Sequence, residues 1–200
     1  MAFYDEIGGK DFVISFTKDP RSDFGVFAKG YFHAASTLAG GLLLRIGFRD
    51  FDAYPVVFLY RHSLELYLKN IIYKAALLMA FKHMDDIDAK LYNTHDLTVL
   101  SEKAAMILQR LFPGDASLRQ FSKEIVKISS EFSDIDASSS AYRYPVDRTG
   151  NPSTRPNQVV NLGALHRTMS ELLEKMDTLD FGLQVETSQA QEIYEILNEL

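Results

Sequence analysis

Tyr60-Arg61-His62-Ser63-Leu64-Glu65-Leu66-Tyr67-Leu68-Lys69 places a group of ionisable residues in the middle of a long, otherwise apolar stretch. Arg61, Glu65 and Lys69 recur at four-residue steps, so in a helix they share one face, with His62 turned about 100° away. Outward from this stretch the apolar positions Val56, Tyr60, Leu64, Leu68, Ile71, Ala75 and Leu78 keep helical spacing to about His83. Asp52-Ala53-Tyr54-Pro55 supplies a start, since a carboxylate can accept orphan N–H groups and proline has no donor to strand. At about 1.5 Å per residue the helix would be roughly 45 Å long, enough to form the spine of a bundle.

The flanking sequence repeats this logic. Asp19-Pro20 opens a helix to about Arg45, with Phe24, Phe27, Tyr31, Ala35, Leu38 and Leu42 as its stripe and Gly40-Gly41 weakening its end. Asn93-Thr94-His95-Asp96 caps a third helix that Pro113-Gly114 ends. Asp115 or Ser117 caps a fourth, carrying Leu118, Phe121, Ile125 and Ile128 to about Phe132. From 133 to 158 helical periodicity is lost among serines, prolines and Gly150-Asn151, and a loop of this length in a compact domain is usually functional or partly disordered. Periodicity resumes from Val160 to Met176, and 189–200 reads as a separate last amphipathic helix. The expected fold is therefore all-α: one domain over 1–200, an antiparallel helical bundle with a long central helix and one irregular loop before the penultimate helix. Residues 1–18 read as an arm, with a short extended segment over 11–17.

A chain of 200 residues with 46% hydrophobic and 24% charged residues suits one soluble globular domain. Cysteine is absent, which removes disulfides, thiolate metal sites and cysteine nucleophiles and fits a reducing cytoplasm. The acidic start Met-Ala-Phe-Tyr-Asp-Glu lacks the basic residues of a signal peptide, and charges interrupt the longest apolar runs, so neither export nor membrane insertion is expected. A net charge of −6 argues against broad electrostatic binding to nucleic acid. The charge is uneven, however. Eight acids against Lys175 alone lie from Glu171 onward, as on a solvated helix face, while from 143 to 158 the loop sets Arg143, Arg148 and Arg155 against Asp147 and leaves room for a local anion site.

The spine motif, a later His95-Asp96-Leu97 and the loop sequence Tyr142-Arg143-Tyr144-Pro145-Val146-Asp147 together resemble prokaryotic HEPN-like proteins over roughly residues 51–176. The resemblance implies an all-helical bundle. It further implies either RNA cleavage in a toxin–antitoxin or phage-defence setting, or binding of nucleotides or nucleic acid without cleavage. Nuclease members carry Arg followed by His after four to six intervening residues. Here none of His33, His62, His83, His95 or His166 has such an Arg, and only Lys90 and His95 have the spacing, without the guanidinium fork.

From side-chain chemistry, Arg61 suits a two-point grip on phosphate, Glu65 suits its orientation, and His62 or His95 can move a proton near neutral pH. The plainer alternative is an i,i+4 ladder of Arg61, Glu65 and Lys69 that stabilises the helix by a few tenths of a kcal/mol per pair. Buried charges need partners, and Arg143 with Asp147, or Asp134 with Asp136, are the candidates for closing such a network. For His95 and Asp96 the structural reading is the cap of the third helix, and for His62 a hydrogen-bonded core histidine. Tyr142 and Tyr144 beside Arg143 form a stacking platform for a base, or Tyr144-Pro145 simply pins the loop to the bundle. Glu-x-x-His pairs of a di-metal bundle are missing, as are phosphate-binding glycine loops and dinucleotide fingerprints, so neither metal nor cofactor is expected. Binding of RNA or a nucleotide through Arg61, Glu65, Lys69, His95, Asp96, Arg143, Tyr144 and Asp147 leads. The alternatives are a metal-independent ribonuclease built on Arg61, His62 and His95, and an interaction protein that dimerises through its helices.

Overall fold

The structure, a computed structural model, describes residues 24–84, 94–136, 139, 141–147, 149–154 and 159–198. Among them are α1 (Phe24–Leu43), a 3-10 turn (Asp50–Ala53), α2 (Tyr54–Phe81), α3 (Leu97–Leu111), α4 (Ala116–Ile135) and α5 (Leu162–Asn198). The all-α bundle read from periodicity is what forms. The expected N-terminal arm, the Asp19-Pro20 cap, the acidic turn at 85–88, Arg148 and Arg155 lie outside the described residues.

The spine is α2, because its sequence is apolar on nearly every side: all residues from Ser63 to Ile72 are buried. Helix α1 runs against it in the opposite sense, with Phe32 beside Tyr60 and Tyr31 beside His62. The Ser63 hydroxyl reaches across to the Ala28 carbonyl at 2.7 Å. Helices α3 and α4 form an antiparallel hairpin in which Thr98, at the start of one, meets Ser133, near the end of the other, at 3.0 Å.

Two expectations about the chain's course change. The helices expected over 160–176 and 189–200 are one, α5, because the segment between them holds no proline and keeps the inward stripe going through Leu183, Thr187 and Ala190. Small and weakly apolar residues hid that stripe. The loop thus precedes the last helix. Moreover, α5 lies parallel to α2, pairing Tyr60 with His166, Tyr67 with Asp177 and Lys82 with Glu186. A parallel neighbour requires the chain to return along the bundle, and it has done so by His95, which sits beside Glu65; the α3–α4 hairpin then begins and ends at the level of Arg61.

The caps divide similarly. Asp96 accepts from the N–H groups of Thr98 and Val99, and Asp115 from that of Leu118, as the sequence suggests. Asp52 does not cap α2; its carboxylate turns back to the Arg49 N–H at 3.1 Å and closes the 3-10 turn. A second polar seam crosses α1, α2 and α5, where Lys29 and Tyr67 hold Asp177 while Asn70 and Lys74 hold Asp180. Gly25 permits this close approach, since a Cβ there would stand 2.8 Å from the Asn70 amide nitrogen.

Candidate functional site

The four-residue spacing on α2 turns Arg61, Glu65 and Lys69 inward, where they are 1%, 1% and 7% exposed. Arg61 joins the spine to the ends of two other helices. Its guanidinium donates to Glu65 Oε2 at 3.1 Å and to the His95 carbonyl at 2.9 Å. Its Nε faces Asp136, with the carbonyl at 3.3 Å and the carboxylate at 3.5 Å. Asp136 follows the last turn of α4 and His95 immediately precedes the cap of α3, so one buried cation ties both to the spine.

Glu65 is the second hub. Its Oε1 accepts from Lys69 Nζ at 2.9 Å and pairs with His95 Nδ1 at 2.8 Å. Burial pushes the Glu65 carboxyl pKa up, but the hydrogen bonds and charges of Lys69 and His95 outweigh it and hold the group below its usual range. Burial pushes the Arg61 guanidinium down while Asp136 and Glu65 oppose that shift. Two buried cations, Arg61 and Lys69, thus face two buried anions, Glu65 and Asp136, which is the pairing that buried charge demands.

The expected grip of Arg61 on a phosphate does not fit this geometry, because each of its three guanidinium nitrogens is engaged inside the protein and its side chain is 1% exposed. Its role is to lock the helix ends together. Asp147 is also displaced from the site: its carboxylate accepts from the Thr149 and Asn151 N–H groups and closes a turn of the loop that Gly150, at φ 86°, completes. Asp96 is occupied by its cap.

What reaches the surface is different. The His95 side chain is 59% exposed while its Nδ1 is anchored on Glu65. An ionised carboxylate only accepts, so Nδ1 carries a hydrogen, and in the neutral imidazole Nε2 is the acceptor. His62 is half-buried, stacked on Phe58 with ring centroids 5.5 Å apart and meeting Tyr31 edge-on at 4.5 Å. Burial lowers its pKa; Glu65 opposes this, and Arg143, Arg61 and Lys69 add to it.

Arg143 is exposed, its Nε donating to the Ser139 carbonyl at 2.6 Å and its guanidinium lying 5.5 Å from the Phe58 ring and 5.6 Å from that of Tyr144. It makes no ion pair with Glu65, yet it is close enough to bear on the titration of both Arg61 and His62. The spine network and the loop are therefore neighbours joined through aromatic rings. Sequence reasoning missed Phe58 and Tyr31, whose helical spacing made them look like ordinary apolar positions. Tyr142, expected beside Tyr144 as a stacking residue, instead packs its ring against Tyr54 at 6.0 Å and ties the loop to the start of α2.

Comparisons of the chain with family models, curated proteins and solved structures found no match. Among the described residues no helix is long and apolar enough to cross a membrane.

Proposed function

We propose that this chain is a HEPN-like helical domain that binds RNA or a nucleotide on the face where His95, Arg143 and Tyr144 come to the surface. One observation carries the reading: the buried charges cancel among themselves, while the guanidinium of Arg143 is presented outward between two aromatic rings. A guanidinium held in this way offers planar donors to a phosphate and loses little freedom on binding. Fluorescence anisotropy with a labelled single-stranded RNA and with nucleotides tests it. Arg143→Ala should weaken binding across sequences and reduce the salt slope by about 1. Absence of saturable binding to either ligand at low salt would overturn the proposal.

The Glu65–His95 pair favours a second reading, metal-independent cleavage of RNA. An exposed imidazole whose Nδ1 is fixed by a buried carboxylate at 2.8 Å presents Nε2 as a proton acceptor, with Glu65 as its positioning residue. Cleavage of labelled RNA in the presence of a chelator, lost in His95→Ala and kept in Lys175→Ala, is the outcome this reading requires.

A further inference from the structure

We infer that the loop face holds a nucleobase, stacked on Tyr144 as the outermost layer of a column that runs Tyr31, His62, Phe58, Arg143, Tyr144. This rests on the proposed binding of RNA or a nucleotide and names the part of the ligand that the loop recognises. Each step of the column is a ring or guanidinium contact: Tyr31 to His62 at 4.5 Å, His62 to Phe58 at 5.5 Å, Phe58 to Arg143 at 5.5 Å and Arg143 to Tyr144 at 5.6 Å. Tyr31, His62 and Phe58 are half-buried, whereas Arg143 is exposed and Tyr144 is 58% exposed. One face of its ring is taken by Arg143, so the exposed remainder offers a π surface to solvent.

A planar aromatic ligand would extend the column by one layer, and a phosphate attached to it would fall within the field of the adjacent guanidinium. Aromatic rings beside arginine bind bases in a sequence-tolerant way, because every base has a π face. The column also explains why this loop segment is seated on the spine. Arg143 is fixed from behind by the Ser139 carbonyl and from below by Phe58, so the Tyr144 platform is built before any ligand arrives.

The test titrates the full chain with four probes: a uridine oligomer, the backbone-matched oligomer of abasic ribose phosphates, a uridine mononucleotide and ribose phosphate. Base stacking predicts that each base-bearing probe binds roughly 10-fold tighter than its abasic counterpart. Tyr144→Ala should erase that ratio, Tyr144→Phe should keep it, and the distant Lys123→Ala should leave it unchanged. A mononucleotide that shows the full ratio identifies a nucleotide site; an oligomer that alone shows it identifies a single-stranded RNA site. Equal binding of base-bearing and abasic probes, or a ratio that survives Tyr144→Ala, overturns the inference and leaves phosphate binding intact. If none of the four probes binds, the underlying reading fails and the inference falls with it.

Discussion

Glu65→Gln removes the charge at the centre of the buried network with almost no change in volume. The carboxylate accepts from Arg61 at 3.1 Å, from Lys69 at 2.9 Å and from His95 at 2.8 Å. The amide has one accepting oxygen, and its nitrogen would point a donor at another donor on whichever side it occupies. Arg61 would then keep Asp136 as its buried counter-charge, while Lys69 would lose the carboxylate it pairs with. Removing one partner of a buried ion pair costs about 3–5 kcal/mol. For a chain of this size that corresponds to a loss of roughly 6–20 °C in Tm.

Urea unfolding followed by far-ultraviolet circular dichroism at pH 7 measures the cost. The pH dependence gives a second check. The folded pKa of Glu65 lies below its usual 4.5, so its contribution is fully present above that value and is lost as pH falls through the folded pKa. The difference between wild type and Glu65→Gln should accordingly narrow as pH falls below 4.5 toward the folded pKa. A double-mutant cycle should find stronger coupling of Glu65 to Arg61, 1% exposed in its side chain, than to His95, 59% exposed. A Glu65→Gln protein within about 0.5 kcal/mol of wild type at pH 7 would refute the inward, charge-balanced network.

Further outcomes follow from other contacts. The His62 imidazole should titrate below its usual 6.5 by NMR because burial opposes its charging; its contribution to stability is complete above 6.5 and falls as pH drops toward the folded pKa, so His62→Phe should flatten the pH dependence of stability just below 6.5. Asp96→Ala, which leaves the Thr98 and Val99 N–H groups without their acceptor, should cost about 1 kcal/mol in chemical denaturation, and Asp96→Asn much less. Gly25→Ala should destabilise by roughly 1–3 kcal/mol, since the added Cβ would stand 2.8 Å from Asn70 Nδ2 and 2.9 Å from Asp180 Oδ2. Gly30→Ala on the same helix, where nothing lies within 4 Å of the added atom, should instead stabilise by about 0.5–1 kcal/mol, and calorimetry that found both shifts in one direction would contradict the α1–α2–α5 packing.

The dihedral chemistry of the chain was enough to fix the local structure. Four-residue spacing set Arg61, Glu65 and Lys69 on one face, short carboxylates at 96 and 115 set two helix starts, and the loss of period after residue 133 marked the loop. Periodicity specifies angles around a helix axis, and these follow from backbone geometry alone. It does not specify which way a face turns when the helix is apolar nearly all round, as α2 is. Apolarity over most of the circumference of α2 made burial of the charged face the expectation, and it is buried, but only packing decided that Asp136 and not Asp147 balances Arg61 and that α5 continues through Leu183 and Thr187 alongside α2. Those outcomes depend on partners 30 to 110 residues away, such as His95 for Glu65 and Asp177 for Tyr67. No local pattern encodes such a partner, because the cost of burying a charge is set by what the rest of the chain brings to meet it.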